Sequence, residues 1–300
     1  MWLMERKNRK EQASADALPF VKMHGCGNDY LYFDCFSREI PASRDFCERL
    51  CDRHKGIGAD GIVLVGPSGR ADAEMWMYNR DGSEGLMCGN AIRCVGKLLY
   101  DSGMVPREVV TIGTKSGVKT LELLISDGEV SGAAVDMGAP EWAPARIPAA
   151  FSGERAVSVP FSAAGAEWKV TLVSMGNPHC VVFCGDPDAA PLEVVGPAFE
   201  RHAAFPEGIN AEFVQIAGKN EIRMRVWERG SGETLACGTG ACAAAAGAVE
   251  NGFCRKNEEI LVRLRGGELS VRVTDQTVKM TGNAVRVFEG VIEGWQNISL

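Results

Sequence analysis

The sequence predicts an α/β (α+β) protein with two pseudo-symmetric domains, each an antiparallel β-barrel wrapped around a central buried α-helix. Three observations carry this prediction. The chain contains many short segments of alternating apolar and polar residues, which are typical of strands. The helical segments after Cys88 and Cys237 are apolar nearly all round, as helices enclosed by other elements are. The loops that precede these two helices repeat one sequence pattern.

The repeated pattern is a loop that ends in Cys-Gly. It runs over residues 79–89 in the first copy and over residues 228–238 in the second, an offset of 149 residues. The same offset relates two further pairs of positions, Asn28 with Asn177 and Gly61 with Asn210. A constant offset over three separated motifs indicates two copies of one unit, because any insertion would have broken it.

Apolar alternation and capping residues predict the elements of the first copy. The expected strands are 20–24, 31–34, 62–65, 74–78, 119–125 and 130–136. Ser43 is expected to cap a helix that continues to about Arg53. The buried helix is expected to have Asn90 at its N-cap and Ser102-Gly103 at its C-terminus.

The second copy repeats this order. Its expected strands lie near 156–161, 168–173, 180–184, 212–216, 221–228, 260–264, 268–273, 277–281 and 285–292. A helix is expected near 192–202, and Thr239 is expected to cap the second buried helix. The Pro- and Gly-rich segment 137–144 falls at the junction between the copies. Residues 1–17 are expected to form a loose N-terminal extension.

Composition excludes several classes of protein. Apolar residues make up 46% and charged residues 24% of the 300, so neither disorder nor a membrane span is indicated. The formal net charge of −7 argues against a nucleic-acid partner, which would require a basic face. Eleven cysteines without a secretory signal indicate a reducing, cytoplasmic compartment. With no Cys-x-x-Cys and only four histidines, no metal site is expected.

Cys88 and Cys237 are the candidate catalytic residues. Each is expected at a helix N-terminus, where unpaired N–H groups and the helix dipole lower a thiol pKa toward neutrality. Two thiols related by an internal repeat would face each other, which suits removal of a proton from one face of a carbon and delivery to the other. The N–H groups of Gly89, Asn90, Gly238 and Thr239 would hold the negative charge that develops. Such proton transfer needs no cofactor.

His179 and Glu228 are the other titratable candidates. Glu228 begins one repeated motif and His179 ends another, and each is a candidate for polarising a thiol. For His179 the alternative is a structural role, as a buried histidine whose ring nitrogens are both hydrogen-bonded.

These motifs together resemble the diaminopimelate epimerase family over roughly residues 18–295. The matching segments are Met23-His-Gly-Cys-Gly-Asn-Asp29, Asn79-Arg-Asp-Gly-Ser83, Cys88-Gly-Asn90, Gly176-Asn-Pro-His179, Asn210-Ala, Glu228-Arg-Gly and Ala236-Cys-Gly-Thr-Gly-Ala241. Members of this family interconvert LL- and meso-diaminopimelate without a cofactor, in the biosynthesis of lysine and cell-wall precursors.

The resemblance implies a specific assignment of roles. Cys88 and Cys237 would be the acid/base pair, and the backbone at Gly89–Asn90 and Gly238–Thr239 would hold the reacting carboxylate. The substrate would be bound by Asn28, Asn79, Asn177, Asn210, Glu228 and Arg229. Arg229 suits the distal carboxylate and Glu228 the distal ammonium group. The resemblance also implies a homodimer and the domains 18–136 plus 284–295 and 137–283, because the last strand returns to the first domain.

The chain departs from the family pattern at two positions. Gly61 stands where some members carry a Gln directed toward the ligand, so no side-chain contact is assigned to it. Ala91 replaces the Gly that usually follows Cys-Gly-Asn, and Ala is well tolerated inside a helix. Neither departure touches the proposed proton transfer.

Other functions remain open at this stage. Proline and hydroxyproline racemases also carry two opposed cysteines, but they need no clamp for a distal carboxylate, which Arg229 and the asparagines would supply. A relative that racemises another polar amino acid, such as histidine, is harder to exclude. A binding protein or a thiol redox sensor is an alternative of a different class, and neither would exchange the α-proton of an amino acid with solvent.

Overall fold

The computed structural model describes residues 17–298 of the chain. The predicted N-terminal extension lies outside these residues, except for Ala17, which begins the first strand. Among the described residues, contacts divide the chain into two units. Unit 1 contains 17–135 and 282–298, and unit 2 contains Asp136–Thr281. The predicted mixed α/β fold, rich in strands with few helices, is confirmed.

Unit 1 is built from eight main strands and two helices. The strands, labelled in chain order, are β1 (Ala17–Gly25), β2 (Asn28–Asp34), β3 (Gly61–Gly66), β4 (Ala73–Asn79), the short β5 (Glu84–Gly85), β6 (Val109–Thr114), β7 (Gly117–Ser126), β8 (Glu129–Asp136) and β18 (Val285–Glu293). The helices are α1 (Arg44–Cys51) and α2 (Gly89–Asp101). Pairing runs in the order β18-β1-β2-β3-β4-β6-β7-β8, and β5 pairs with β4.

Unit 2 likewise contains eight main strands, one short strand and two α-helices. Its strands are β9 (Val159–Ala163), β10 (Ala166–Ser174), β11 (Pro178–Phe183), β12 (Asn210–Gly218), β13 (Glu221–Glu228), the short β14 (Gly232–Glu233), β15 (Glu259–Leu264), β16 (Gly267–Val273) and β17 (Val278–Asn283). The helices are α3 (Leu192–Glu200) and α4 (Gly238–Glu250). Pairing runs in the order β9-β10-β11-β12-β13-β15-β16-β17, and β14 pairs with β13.

The internal repeat is visible in the bounds of the elements. At an offset of 149 residues, α2 falls on α4 over all 13 residues and β1 falls on β10 over all 9. The strands that carry the motifs also correspond, β2 with β11, β3 with β12 and β4 with β13. Pairing is antiparallel for most neighbours, as predicted, but each unit also contains two parallel pairs. These are β2–β3 and β4–β6 in unit 1, and β11–β12 and β13–β15 in unit 2.

In each unit the strands separate a buried helix from a second helix. Alternation along β2 shows the principle: Tyr32 donates its hydroxyl hydrogen to the Ala91 carbonyl of α2 at 3.2 Å, while Phe33 packs against Phe46 of α1. In unit 2, Phe213 of β12 packs against Phe199 of α3, and α4 contacts β10, β11, β12, β13, β15 and β16. The prediction that α2 and α4 are buried is confirmed. No helix among residues 17–298 is long and apolar enough to cross a membrane.

The predicted N-caps of the two buried helices are wrong by two residues, whereas the predicted end of the first at Ser102-Gly103 is confirmed. Cys88 and Cys237 are the N-caps, with extended φ/ψ angles of −130°/121° and −109°/112°. Their carbonyls accept the first helical hydrogen bonds, from Ile92 at 3.0 Å and Ala241 at 2.9 Å. Asn90 and Thr239 therefore lie inside the first turn, because helical geometry already begins at the glycine after each cysteine.

Strand β8 lies so close to residues 282–284 that a side chain at Gly132 would have no space. A Cβ at Gly132 would lie 2.3 Å from the carbonyl oxygen of Gly282, and Ala284 donates its N–H to the Ser131 carbonyl. Because the obstacle is backbone, Gly132→Ala should destabilise the protein by about 1–3 kcal/mol, measured as a lower midpoint of urea unfolding. Gly69→Ala is the control, since no atom lies within 4 Å of its Cβ. Equal midpoints for both variants would contradict the expectation.

Candidate active site

The first half of the candidate site forms around Cys88 in unit 1. Cys88 is half-buried at the head of α2, and Asn28 lies at the start of β2, 60 residues away in sequence. The Asn28 amide nitrogen is 3.9 Å from the Cys88 sulfur. The Asn28 side-chain oxygen, Oδ1, is buried and has no hydrogen-bond partner within residues 17–298. Fold and local sequence thus bring together two predicted site residues, one of which retains a free acceptor.

A buried arginine supports the first turn of α2. Arg93 has no exposed surface and donates to the Gly89 carbonyl at 2.8 Å, the Asn90 side-chain oxygen at 2.9 Å and the Asn283 carbonyl at 3.1 Å. No carboxylate among the described residues pairs with it. Its positive charge therefore adds to that of the helix N-terminus, which favours binding of an anion there. Arg93 is not among the site residues predicted from the sequence.

Asn79 stays within its own loop. The side-chain amide donates to the Ser83 hydroxyl at 2.9 Å, and the backbone N–H donates to the Ser83 carbonyl at 2.8 Å. Asn79 is exposed at the end of β4. No hydrogen bond described in the structure joins it to Asn28 or Cys88.

The second half of the candidate site forms around Cys237 in unit 2. Cys237 is only 5% exposed, and its sulfur accepts a hydrogen bond from the Gly240 N–H at 3.3 Å and lies 3.4 Å from the Thr239 hydroxyl. Burial, followed by the Glu228 and Glu212 carboxylates, raises the pKa of the Cys237 thiol well above its ordinary value. The expected lowering by the helix N-terminus is therefore wrong for Cys237, since burial outweighs the hydrogen bonds that stabilise its thiolate.

Glu228 is the carboxyl group that contacts the thiol. It accepts a hydrogen bond from the Thr234 hydroxyl, and the Thr234 and Cys237 side chains both favour its ionised form. Burial nevertheless raises the pKa of the Glu228 carboxyl above its ordinary value. Of the two predicted polarising groups, Glu228 is thus the one next to a candidate thiol.

His179 is surrounded by other partners. Its ring has no exposed surface, with Nδ1 2.6 Å from Glu212 Oε1 and Nε2 2.9 Å from Asn177 Oδ1. Both ring nitrogens are occupied, so neither binds the Cys237 sulfur. Glu212 was missed by sequence analysis because it has no counterpart in the repeat. The available signal was a charged residue in an otherwise apolar strand segment, Asn210-Ala-Glu-Phe-Val214.

Asn210 and Arg229 complete the second half. The Asn210 amide donates to the Pro178 carbonyl at 2.7 Å and its oxygen accepts from the Arg229 N–H at 2.9 Å, so this side chain joins β11 to the loop after β13. The Arg229 side chain is exposed and donates to the Glu207 carbonyl at 2.9 Å, which leaves other guanidinium N–H groups for a ligand. Within residues 17–298 no three His, Cys, Asp or Glu side chains are grouped to hold a metal ion.

The chain is similar to named proteins over most of its length. A family model described as diaminopimelate epimerase matches residues 20–143 and 171–287. A diaminopimelate epimerase from Acetivibrio thermocellus is 48% identical over 276 residues, covering 91% of this chain and 98% of that protein. One from Methanococcus maripaludis is 46% identical over 278 residues, covering 92% of this chain and 100% of that protein.

Solved structures share the fold at lower identity. A hydroxyproline epimerase from Agrobacterium vitis, with bound trans-4-hydroxy-L-proline, has a TM-score of 0.68 at 17% identity and covers 94% of both chains. A phenazine biosynthesis protein of the PhzF family from Bacillus anthracis has a TM-score of 0.67 at 16% identity, covering 92% of this chain and 99% of that one. At such identities the likeness shows a common two-domain architecture.

The different burial of the two thiols predicts different reactivity. With iodoacetamide at pH 7.5 we expect Cys88 to be alkylated at least about 10-fold faster than Cys237, because alkylation requires an accessible thiolate. The rate at Cys237 should keep rising throughout the alkaline range, since the raised pKa keeps this thiol mostly protonated at neutral pH. Peptide mapping by mass spectrometry over time measures both rates. Cys35, half-buried with a pKa of about 11, serves as an internal control for a thiol outside the candidate site. Equal labelling of Cys88 and Cys237 at pH 7.5 would contradict the expectation.

Proposed function

The chain belongs to the diaminopimelate epimerase family, and from this membership we propose that it interconverts LL- and meso-diaminopimelate without a cofactor. The observation that carries the proposal is the presence of a cysteine at the N-cap of each buried helix, at equivalent positions of two repeated units. The reaction would serve the biosynthesis of lysine and of cell-wall precursors.

In the proposed mechanism, Cys88 and Cys237 act on opposite faces of one α-carbon. The thiolate of one cysteine removes the α-proton, and the thiol of the other delivers a proton to the resulting carbanion. Inversion leaves the protonation states of the two thiols exchanged, so the reverse reaction uses the same groups. The buried Cys237, beside Glu228 and Glu212, is suited to begin as the protonated partner.

The negative charge of the carbanion is delocalised into the α-carboxylate. We propose that the backbone N–H groups of Gly89, Asn90, Gly238 and Thr239 bind this carboxylate, because the first N–H groups of a helix have no acceptor within it. On the unit 1 side, the buried Arg93 behind Asn90 increases the positive potential. No pyridoxal phosphate or metal ion is needed for this stabilisation.

The remaining contacts would recognise the rest of diaminopimelate. Arg229 is proposed to bind the distal carboxylate with the guanidinium N–H groups that the Glu207 carbonyl does not use. Glu228 is proposed to bind the distal ammonium group and to contact the Cys237 thiol. Asn28, Asn79 and Asn177 are proposed to bind substrate through their amides, and Asn210 to act through the backbone of Arg229. Gly61 has no space for a side chain, since a Cβ would lie 2.3 Å from the Tyr78 carbonyl oxygen.

Compartment, domain bounds and oligomeric state are further parts of the proposal. Eleven free thiols within the described residues support a reducing cytoplasm as the compartment. The two contact units support epimerase domains at 18–136 plus 284–295 and 137–283. The expected homodimer is supported by exposed apolar side chains on β18, Val287, Phe288 and Val291, beside a cavity of about 830 Å³ that Phe20 and Ile57 also line.

The proposed reaction predicts exchange of the α-proton with solvent. In D₂O under reducing conditions, proton NMR of LL-diaminopimelate with the wild-type protein should show loss of the α-proton signal and formation of the meso isomer. Cys88→Ala and Cys237→Ala should each lower the rate of isomer formation by at least about 10³-fold, because both proton transfers are required.

Controls separate this function from its alternatives. Cys184→Ala, at a half-buried thiol outside the site, should retain the wild-type rate. Absence of any exchange with diaminopimelate would contradict the substrate assignment, and exchange with proline or histidine instead would favour the racemase alternatives. Activity that depends on a disulfide, without exchange into any amino acid, would favour a redox sensor.

The proposed dimer predicts a change in mass on altering β18. Sedimentation equilibrium of the wild-type protein should give twice the chain mass of 32.2 kDa. The variant Val287→Glu/Val291→Glu should be a monomer, because buried unpaired carboxylates are costly in an interface. Val194→Glu, on the exposed face of α3 at 65% exposure, is the matched control and should remain a dimer. A monomeric wild-type protein would contradict the proposal.

A further inference from the structure

Glu212 is a fully buried carboxyl group that the proposed mechanism does not use. Along β12, Ala211 and Phe213 belong to the apolar core that includes Phe199 of α3, so Glu212 faces the opposite side, toward α4. Its Oε1 atom is 2.6 Å from His179 Nδ1. Its Oε2 atom is buried without a hydrogen-bond partner in the described part of the chain.

His179 contacts Asn177 as well as Glu212, so the three side chains are connected. His179 Nε2 lies 2.9 Å from Asn177 Oδ1, and an amide oxygen can only accept, so Nε2 carries a hydrogen. A second hydrogen must lie between His179 Nδ1 and Glu212 Oε1, because a carboxylate and a bare ring nitrogen would repel each other at 2.6 Å. The three side chains therefore form one directed series of hydrogen bonds.

The unpartnered oxygen indicates where the second hydrogen belongs. A buried carboxylate oxygen without a donor costs more free energy than the carbonyl oxygen of a protonated carboxyl group. Burial also raises the pKa of the Glu212 carboxyl, although His179 acts in the opposite direction. Glu212 is therefore assigned as the donor to Nδ1, and neutral His179 as the donor to Asn177.

We propose that Glu212 is a positioning residue that acts through His179 on Asn177. By fixing the tautomer and orientation of His179, it holds Asn177 Oδ1 as an acceptor and leaves the Asn177 NH₂ group, which no described residue accepts from, as a donor to substrate. This inference rests on the proposed function for the identity of that substrate.

The packing of Glu212 against α4 depends on a glycine in that helix. A Cβ at Gly240 would lie 2.8 Å from Glu212 Oε1 and 3.2 Å from the Cys237 sulfur. Glycine at this position therefore lets the carboxyl group pack against the first turn of α4, beside the candidate thiol. With the Glu212–His179 pair neutral, burial and the Glu228 carboxylate are the causes that remain for the raised pKa of Cys237.

The equivalent positions of unit 1 lack this series. At the offset of 149 residues, Asn177, His179 and Glu212 correspond to Asn28, Tyr30 and Val63. Asn28 Oδ1 has no partner among the described residues, so only the asparagine of unit 2 is held by a hydrogen-bond donor behind it. The support of Asn177 is thus a feature of one half of the site.

Kinetics in a double-mutant cycle test the proposal. Glu212→Leu should lower kcat/KM for diaminopimelate by about 10- to 100-fold, mostly through KM, because a substrate donor loses its fixed position. In the Asn177→Ala background the same substitution should cost less than about 3-fold, since coupled residues are not additive. Glu212→Gln should retain activity within about 3-fold of wild type, because the Gln amide can donate to His179 Nδ1. Additive losses, or a Glu212→Gln variant as impaired as Glu212→Leu, would overturn the proposal.

A spectroscopic measurement tests the same arrangement without substrate. Proton–nitrogen NMR of protein labelled with ¹⁵N-histidine should show His179 as a single tautomer with hydrogen on Nε2, its signals being those absent from His179→Gln. Glu212→Gln should keep this tautomer, and Glu212→Leu should lose it. Val214→Ala, on the same face of β12, is the control for packing and should keep it. Hydrogen on Nδ1 alone in the wild-type protein would overturn the inference. Absence of epimerase activity in the wild-type protein would instead contradict the proposed function and leave the NMR result intact.

Discussion

The organisation of each unit depends on a helix that is enclosed by strands. Enclosure buries the apolar side chains of α2 and α4. It also places the N-terminus of each helix, whose first N–H groups have no acceptor inside the helix, among buried residues. Cys237 accepts one of these hydrogen bonds through its sulfur, and Arg93 binds the Gly89 and Asn90 turn from behind. In unit 1 the start of β2, which carries Asn28, lies beside the N-terminus of α2. The chemistry of the site follows from this packing constraint.

The surroundings of the candidate thiol differ in electrostatic character between the two units although their backbones repeat. In unit 1 a half-buried thiol lies on a turn supported by a buried guanidinium group without a carboxylate partner among the described residues. In unit 2 a thiol lies beside Glu228, and burial, followed by the negative charge of that carboxylate, raises the pKa of the thiol. In the proposed reaction, which needs one base and one acid, such a difference would favour the state in which one thiol is ionised and the other is protonated.

Much of the fold and part of the site could be predicted from sequence. Alternation and the offset of 149 residues predicted the strands and both buried helices, since burial on one or all faces leaves a periodic pattern. The N-caps of the buried helices were placed wrongly because Asn90 and Thr239 are good capping residues in general, whereas Cys88 and Cys237 are the last extended residues and helical geometry begins at the glycine after each of them. Glu212 and the pKa of Cys237 could not be predicted, because both depend on burial in three dimensions and on contacts between residues distant in sequence.

The small side chains of α4 have a consequence for the evolution of the protein. Where α2 carries Ile92, Val95, Leu98 and Leu99, the equivalent positions of α4 carry Ala241, Ala244, Gly247 and Ala248. Small side chains let a strand approach a helix closely, and Val181 of β11 lies 3.6 Å from where a Cβ on Gly247 would be. Since the duplication, each helix has diverged together with the strands around it, so the helix of one unit would no longer fit inside the other. A large side chain that fits at one of these positions of α2 would meet the strands of unit 2 at the equivalent position of α4.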